Sequence, residues 1–316
     1  MFQYPLQALY LSDSSIKRLH SCPRKLELNK FYEHARVDRD ESISSGGGTS
    51  IHAAWQELLV SGNMERALFV LQEKFPWQYQ NSPNDVRSIY ALYTTFLAML
   101  DHKCTENYEL VWVNVGGTTI PAVEVPFRIK FKNVSLFPDR DVPIYYIGYI
   151  DALLRDKETK LVETFDVKST RIATSDYTPL YAKADQCLPY GYVLERVLGR
   201  SADNFNVNYL VAYVDIMQPQ IYHYAFTKTR ADIQEWCMKM ALDITHIQTY
   251  AQSMFFPKRG ESCYSYNRKC IYFDVCDYAK PEGVAQYLDL LFGSNQQEPP
   301  KDSDFWFTLE VEIAGL

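Results

Sequence analysis

The stretch Ile144 to Thr170, IYYIGYIDALLRDKETKLVETFDVKST, constrains the fold of this chain more than any other. Ile144–Leu154 and Leu161–Lys168 are rich in β-branched, aromatic and apolar residues, whereas Arg155–Lys160 is almost wholly polar, so the pattern predicts two strands joined by a charged turn. With the turn centred near Lys157 and Glu158, Asp151 lies opposite Thr164. Asp166 is then its diagonal same-face neighbour at roughly 7–8 Å between backbones, close enough for one cation to bridge both carboxylates. Lys168 follows two positions after Asp166 and shares its face. A solvated hairpin face could carry the same residues. Against that, both acids sit inside apolar segments, GYIDALL and ETFDVKS, where an unpaired buried carboxylate is costly.

The chain around this hairpin has 316 residues, 47% hydrophobic and 15% aromatic, enough for one large or two modest domains with a substantial core. No run approaches the roughly 18 apolar residues of a membrane span. The N-terminal MFQYPLQALYLSDSS lacks the basic start and continuous apolar centre of a signal peptide, so the expectation is an intracellular, cytoplasmic protein. The formal charge of -7 leaves no global basic footprint, and a nucleic acid would have to be held by a local patch, with metal ions offsetting carboxylates. Seven cysteines is an odd number, and in that compartment thiols or metal ligands are expected over disulfides.

Along the chain, Leu11–Glu33 reads as a helix that Pro23 bends or ends, carrying SCPRK and hence Cys22. Glu41–Gly48 reads as a loop ending in three glycines, and a helix is expected from Thr49 with His52 in its first turn. A histidine there is ordinarily a surface residue, while a neutral imidazole there could also meet a metal. Met64–Phe75 and Asp85–Lys103 read as packing helices, then Glu109–Val115 and Ala122–Phe131 as strands. Glu124, between valines, could point at the hairpin acids or lie exposed at an edge. Ser175–Leu198 is expected to be helical, with Gln186 and Tyr190 at i and i+4 on one face and Pro189 making it irregular. Phe205–Asp215 and Gln220–Thr227 resemble a second hairpin, and Arg230–Ser253 a long amphipathic helix. No GxxxxGK[ST] motor motif is present in the sequence.

Cys263, Cys270 and Cys276 lie close together in the turn-rich ESCYSYNRKCIYFDVC. Three thiolates need a fourth ligand for tetrahedral zinc or a four-iron cluster, and the spacing suits both equally. Cys22, flanked by proline and basic residues that lower a thiol's pKa, is the candidate. Cys104, Cys187 and Cys237 fall in helical patterns as small core residues. The tail carries a short helix pattern, a linker QQEPPKDSD and an acidic, aromatic end, FWFTLEVEIAGL, left open as a surface for a protein partner.

SCPRK, GGGTSIH, GYID, FDVK and QCLPY, in this order over about residues 12 to 200, resemble the RecB-type branch of the PD-(D/E)XK nuclease superfamily. With the cysteines, the chain resembles the iron–sulfur-stapled members, the nuclease domains of AddB-type helicase–nucleases and the CRISPR adaptation nucleases. The resemblance implies an α/β fold: a central mixed sheet flanked by helices, a restriction-endonuclease-like core. The expected division is a helical region with the histidine motif at 1–110, the nuclease core at 111–256, a cysteine segment packing with Cys22 at 257–283 and a tail at 284–316. It implies a Mg2+- or Mn2+-dependent exonuclease acting on linear DNA, single-stranded or with ends, in recombination, repair or phage- or CRISPR-type processing. His52, Asp151, Asp166 and the Val167 carbonyl would ligate the ion, Lys168 would be the catalytic lysine, and Gln186 and Tyr190 would contact the lysine or the DNA. Cys22, Cys263, Cys270 and Cys276 would hold a 4Fe–4S cluster, or zinc in its place.

Three departures from the pattern stand out. Ile150 replaces the proline of the superfamily name, Asp166 replaces the more frequent glutamate, and six residues separate Cys263 from Cys270 where the commonest pattern has two. A restriction-type endonuclease and an inactive zinc-stapled nucleic-acid-binding or structural module are the alternatives.

Overall fold

A computed structural model describes residues 4–32, 43–75, 77, 88–172, 174, 176–199, 203–265, 268–277, 281–292 and 300–313. The chain begins with β1 (Leu9–Leu11), α1 (Asp13–Ser21) and α2 (Pro23–Lys30). Pro23 ends one helix and starts the next, because its missing N–H costs nothing at a first helical position. Helices α3 (Ile43–Ser61), α4 (Met64–Glu73) and α5 (Ile89–Asp101) follow. The Asn63 and Ser88 side chains cap the last two by accepting from the Arg66 and Ala91 amides. Then come β2 (Tyr108–Leu110), β3 (Trp112–Val115), β4 (Thr118–Pro121), β5 (Val123–Ser135), β6 (Pro143–Asp156) and β7 (Val162–Thr170). After α6 (Thr178–Tyr181) and α7 (Tyr190–Leu198) lie β8 (Asn204–Tyr213), β9 (Gln220–Thr229) and α8 (Arg230–Ser253). The chain closes with β10 (Tyr264–Ser265), β11 (Arg268–Lys269), α9 (Pro281–Phe292) and β12 (Phe307–Val311).

The central sheet runs β12-β5-β6-β7-β8-β9, with β1 and β2 also paired to β6. It is mixed: β6–β7 and β8–β9 are antiparallel, while β7–β8, β12–β5 and β1–β6 are parallel. With helices flanking it, this is the expected α/β class with a restriction-endonuclease-like core. Among the described residues, no helix is long and apolar enough to cross a membrane.

Two compact units divide the chain, both discontinuous in sequence. One comprises Asp38–Val125 and Tyr149–Ile233. Its core sets Ile51, Trp55, Leu92 and Phe96 of the helices against Ala152, Phe165, Val167 and Leu210 of the strands, all nearly or fully buried. The other comprises Met1–Val37, Pro126–Gly148 and Gln234–Leu316. Trp236 of α8 meets the rings of Phe131 and Tyr146 there. The tail segment FTLEV becomes a parallel strand on β5, from Phe307↔Phe127 to Val311↔Phe131. Arg128 anchors it by an ion pair to Asp302 (2.7 Å), a hydrogen bond to Thr308 and contacts with the faces of Tyr145 and Phe305.

Two local expectations are overturned. Gly46, Gly47 and Gly48 are not in a loop but inside α3, which is helical from Ile43; residues 41 and 42 lie outside the described residues. Glycine inside a helix costs roughly 1 kcal/mol per residue, and here close packing outweighs that. A Cβ on Gly48 would stand 2.8 Å from Ser169 Oγ, and one on Gly47 3.3 Å from Leu92 Cδ2. His52 therefore sits well inside the helix rather than in its first turn. Residues 176–198 are not one helix either, residue 175 lying outside the described residues: α6 is short, Gln186 lies among turns, and Pro189, without an N–H, stands just before the start of α7 at Tyr190. Gln186 and Tyr190 do not share a helical face.

Gly148, the glycine of GYID, has a packing reason too. A Cβ there would lie 2.7 Å from Cζ of Phe127, a fully buried ring that would have to shift. Gly148→Ala is expected to destabilise the protein by about 1–3 kcal/mol, read as a lower urea midpoint at unchanged m-value. A midpoint equal to wild type would mean that the strands shift without cost.

Candidate active site

The turn of the central hairpin decides where the acids meet. Asp156 Oδ1 accepts from the amides of Glu158 (2.9 Å) and Thr159 (2.6 Å) and from the Thr159 hydroxyl (3.0 Å), and Lys160 closes the loop at φ 62. The turn is thus centred between Glu158 and Thr159, one residue later than the sequence suggested, and the register moves by two. Leu153, not Asp151, faces Thr164, and the last pair of the ladder is Ala152↔Phe165. Asp151 and Asp166 each lie one residue beyond that pair, just past the end of the ladder. Past the ladder, Asp151 Oδ2 accepts a hydrogen bond from the Val167 amide at 2.7 Å.

Asp166 is fully buried, with Lys168 Nζ 2.6 Å from its Oδ2 and Gln186 Nε2 donating to its Oδ1 at 3.3 Å. The lysine contact is a close ion pair whose angles fall short of a well-formed hydrogen bond to Oδ2. Burial and the charge of Asp151 push the Asp166 carboxyl up to about 6, against the pull of Lys168 and His52. Burial disfavours the Lys168 cation, but the Asp166 and Asp151 charges outweigh it and raise its pKa.

His52 reaches in from α3, with Nε2 2.9 Å from Asp151 Oδ2 and Nδ1 3.6 Å from Glu124 Oε1. Burial would lower the His52 pKa, but the hydrogen bond and charge of Asp151, backed by Glu124 and Asp166, leave it raised. Gln56, one helical turn beyond His52, donates to Glu124 Oε1 at 2.6 Å. Of the two residues that sequence reasoning did not commit to, Gln56 had a signal in its i+4 spacing from His52. For Glu124 the sequence left two readings open, pointing at the acids or exposed at an edge, and its left-handed backbone (φ 48), which favours glycine, has no mark in the sequence. Tyr190 is buried, and its hydroxyl donates to the Tyr149 carbonyl at 3.0 Å.

In the other unit, Cys22, Cys263, Cys270 and Cys276 line one cavity. The wide Cys263–Cys270 gap is taken up by the β10–β11 hairpin, paired Tyr264↔Lys269 and Ser265↔Arg268. It returns Cys270 beside Cys263, whose carbonyl accepts the Cys270 amide at 2.8 Å. Hydrogen bonds from Arg24 N to Pro257 O (3.2 Å) and from Ser262 Oγ to Ser21 O (2.6 Å) hold the segment against the turn between α1 and α2.

Among the described residues, no three His, Cys, Asp or Glu side chains already stand as a coordination shell. In the acid site the donors are engaged with His52 and Lys168 instead. The donor set nonetheless suits a hard divalent ion: two adjoining carboxylates, one with a buried oxygen lacking a hydrogen bond, and an imidazole beside them.

Paired acids with a lysine beside them on a mixed sheet are residue types that suit phosphodiester hydrolysis. The chain belongs to the PD-(D/E)XK nuclease superfamily, whose family model matches residues 10–277. Members typically use divalent metals such as Mg2+ or Mn2+, and the family implies DNA as substrate. No curated protein sequence matches the chain. Among solved structures, it is similar to a candidate exonuclease from Eubacterium rectale, with 11% identity, TM-score 0.43 and coverage of 86% of this chain and 89% of that one. It is also similar to a protein named SSO0001, with 15% identity, TM-score 0.25 and coverage of 72% and 84%. Likenesses this low carry no argument about activity.

Proposed function

We propose that this chain is a metal-dependent deoxyribonuclease, an exonuclease of the RecB-type branch serving DNA recombination, repair or phage- or CRISPR-type processing. The observation that supports it best is the buried Asp166 Oδ2, without a hydrogen bond, in a carboxylate pair that a divalent cation would neutralise. Asp151, Asp166, His52 and the main-chain carbonyl of Val167 are the proposed ligands, and Glu124 stands near enough to His52 to orient it. The bound ion supplies phosphate charge stabilisation and an activated water. Lys168 donates to the charge that develops on the phosphate. Gln186 holds Asp166 through Oδ1. Tyr190 positions the strand carrying Asp151 through the Tyr149 carbonyl.

The cysteine set is proposed to hold a 4Fe–4S cluster, with zinc as the alternative, acting as a staple and taking no part in cleavage. That all four cysteines line one cavity supports this donor assignment. The exonuclease assignment comes from the sequence resemblance, and its test uses DNA ends. With Mg2+ or Mn2+, end-labelled linear DNA is expected to be degraded progressively while covalently closed circles survive, and the rate is expected to fall with added salt. Rapid nicking of closed circles at low enzyme would identify an endonuclease instead.

A further inference from the structure

We infer that Tyr149 binds substrate in the same site, stacking its ring on the base next to the scissile phosphate, so that an unpaired DNA end is the preferred substrate. The inference rests on the nuclease reading above and adds the form of DNA taken.

Tyr149 precedes Asp151 by two residues on β6, so the two side chains share a face, roughly 7 Å apart along the strand. β6 is an interior strand, and the next residue, Ile150, is fully buried, yet Tyr149 is 53% exposed. Among the described residues its ring has no aromatic neighbour and its hydroxyl no hydrogen bond. Other tyrosines of this unit are engaged through theirs: Tyr108 with Glu163, Tyr177 with the Ile172 carbonyl, Tyr209 with Cys187. A ring kept for packing would have been buried, since exposing it forgoes the hydrophobic gain.

The backbone beneath the ring is held, by the Tyr190 hydroxyl on the Tyr149 carbonyl. The ring is therefore presented to solvent from a fixed position two residues from a proposed metal ligand, where a base of the bound strand would pass. Every base has a π-face, so stacking is tolerant of sequence. In a duplex that face is covered by neighbouring base pairs and must first be unstacked, which favours a single-stranded or frayed end. The formal charge of -7 also limits what ionic contacts supply, giving a non-ionic contact more weight.

The test compares wild type, Tyr149→Ala and Tyr149→Phe. Binding is followed with Ca2+ on a short single strand carrying terminal 2-aminopurine, and cleavage with Mg2+ on that strand and on a blunt duplex. Tyr149→Ala is expected to abolish the aminopurine quench and raise KM for the single strand by roughly 10-fold, with kcat within about 2-fold of wild type. Tyr149→Phe should retain both, and duplex KM should move much less. Unchanged quench and KM in Tyr149→Ala would overturn the inference, as would a Tyr149→Phe as defective as the alanine variant. If wild type cleaves no DNA, the nuclease reading falls, and the quench alone then decides the stacking.

Discussion

Lys168→Ala is expected to lower DNA cleavage by roughly 10²–10³-fold while divalent-ion binding survives, the loss that follows removal of one group acting on transition-state charge. The geometry explains why the two properties should part. Lys168 Nζ lies 2.6 Å from Asp166 Oδ2, where it offsets the carboxylate without making a well-formed hydrogen bond. Without it, the Asp151 and Asp166 carboxylates keep their positions and lose a competing cation, so Mn2+ should bind as well as before or more tightly, and DNA should still bind with Ca2+. Asp166→Ala removes a donor instead, and there ion binding and cleavage should disappear together. Titration of Mn2+ into both variants, with cleavage of labelled DNA measured alongside, separates the two patterns. A Lys168→Ala enzyme cutting near the wild-type rate would remove the lysine from the chemistry. An active, metal-binding Asp166→Ala would reduce the acid pair to packing.

Cys270→Ala should remove most of the folded protein. A centre joining Cys22 to Cys263, Cys270 and Cys276 closes a loop as long as that between Ser21 and Ser262, which are 241 residues apart. By the chain-entropy argument used for covalent cross-links, a loop of that size is worth on the order of 5 kcal/mol, against a typical total stability of about 5–15 kcal/mol. The hydrogen bonds already joining these segments, Ser262 to Ser21 and Arg24 to Pro257, contribute about 1 kcal/mol each, too little to replace it. Wild-type protein isolated without oxygen should be brown and contain iron and sulfide, and the variant should be colourless and poorly recovered. A colourless wild type with stoichiometric zinc would replace iron by zinc at the staple. Undiminished folded yield of Cys270→Ala would mean that the thiols bear no structural centre.

Much of this protein was legible along the chain because strand and helix periods are local properties. The β-branched, aromatic and apolar content of Ile144–Leu154 and Leu161–Lys168 anticipated β6 and β7, and the apolar pattern of Arg230–Ser253 matched α8 end to end. The order of SCPRK, GYID, FDVK and QCLPY carried the family, since chemistry needs those residue types at those separations. What remained hidden depended on contacts between distant segments. The three glycines looked like a loop because helix propensity counts against them, and only Leu92 packed against Gly47 and Ser169 against Gly48 give the helix its reason. The register slipped by two because three hydrogen bonds to Asp156 moved the turn by one residue, setting Leu153 rather than Asp151 opposite Thr164. Glu124 stands near His52 from a left-handed backbone, and Tyr190 reaches the Tyr149 carbonyl from a helix that starts just after Pro189. Residue identity determined which groups were available for chemistry, while long-range packing decided which of them touch, because a contact energy depends on distances that no local pattern contains.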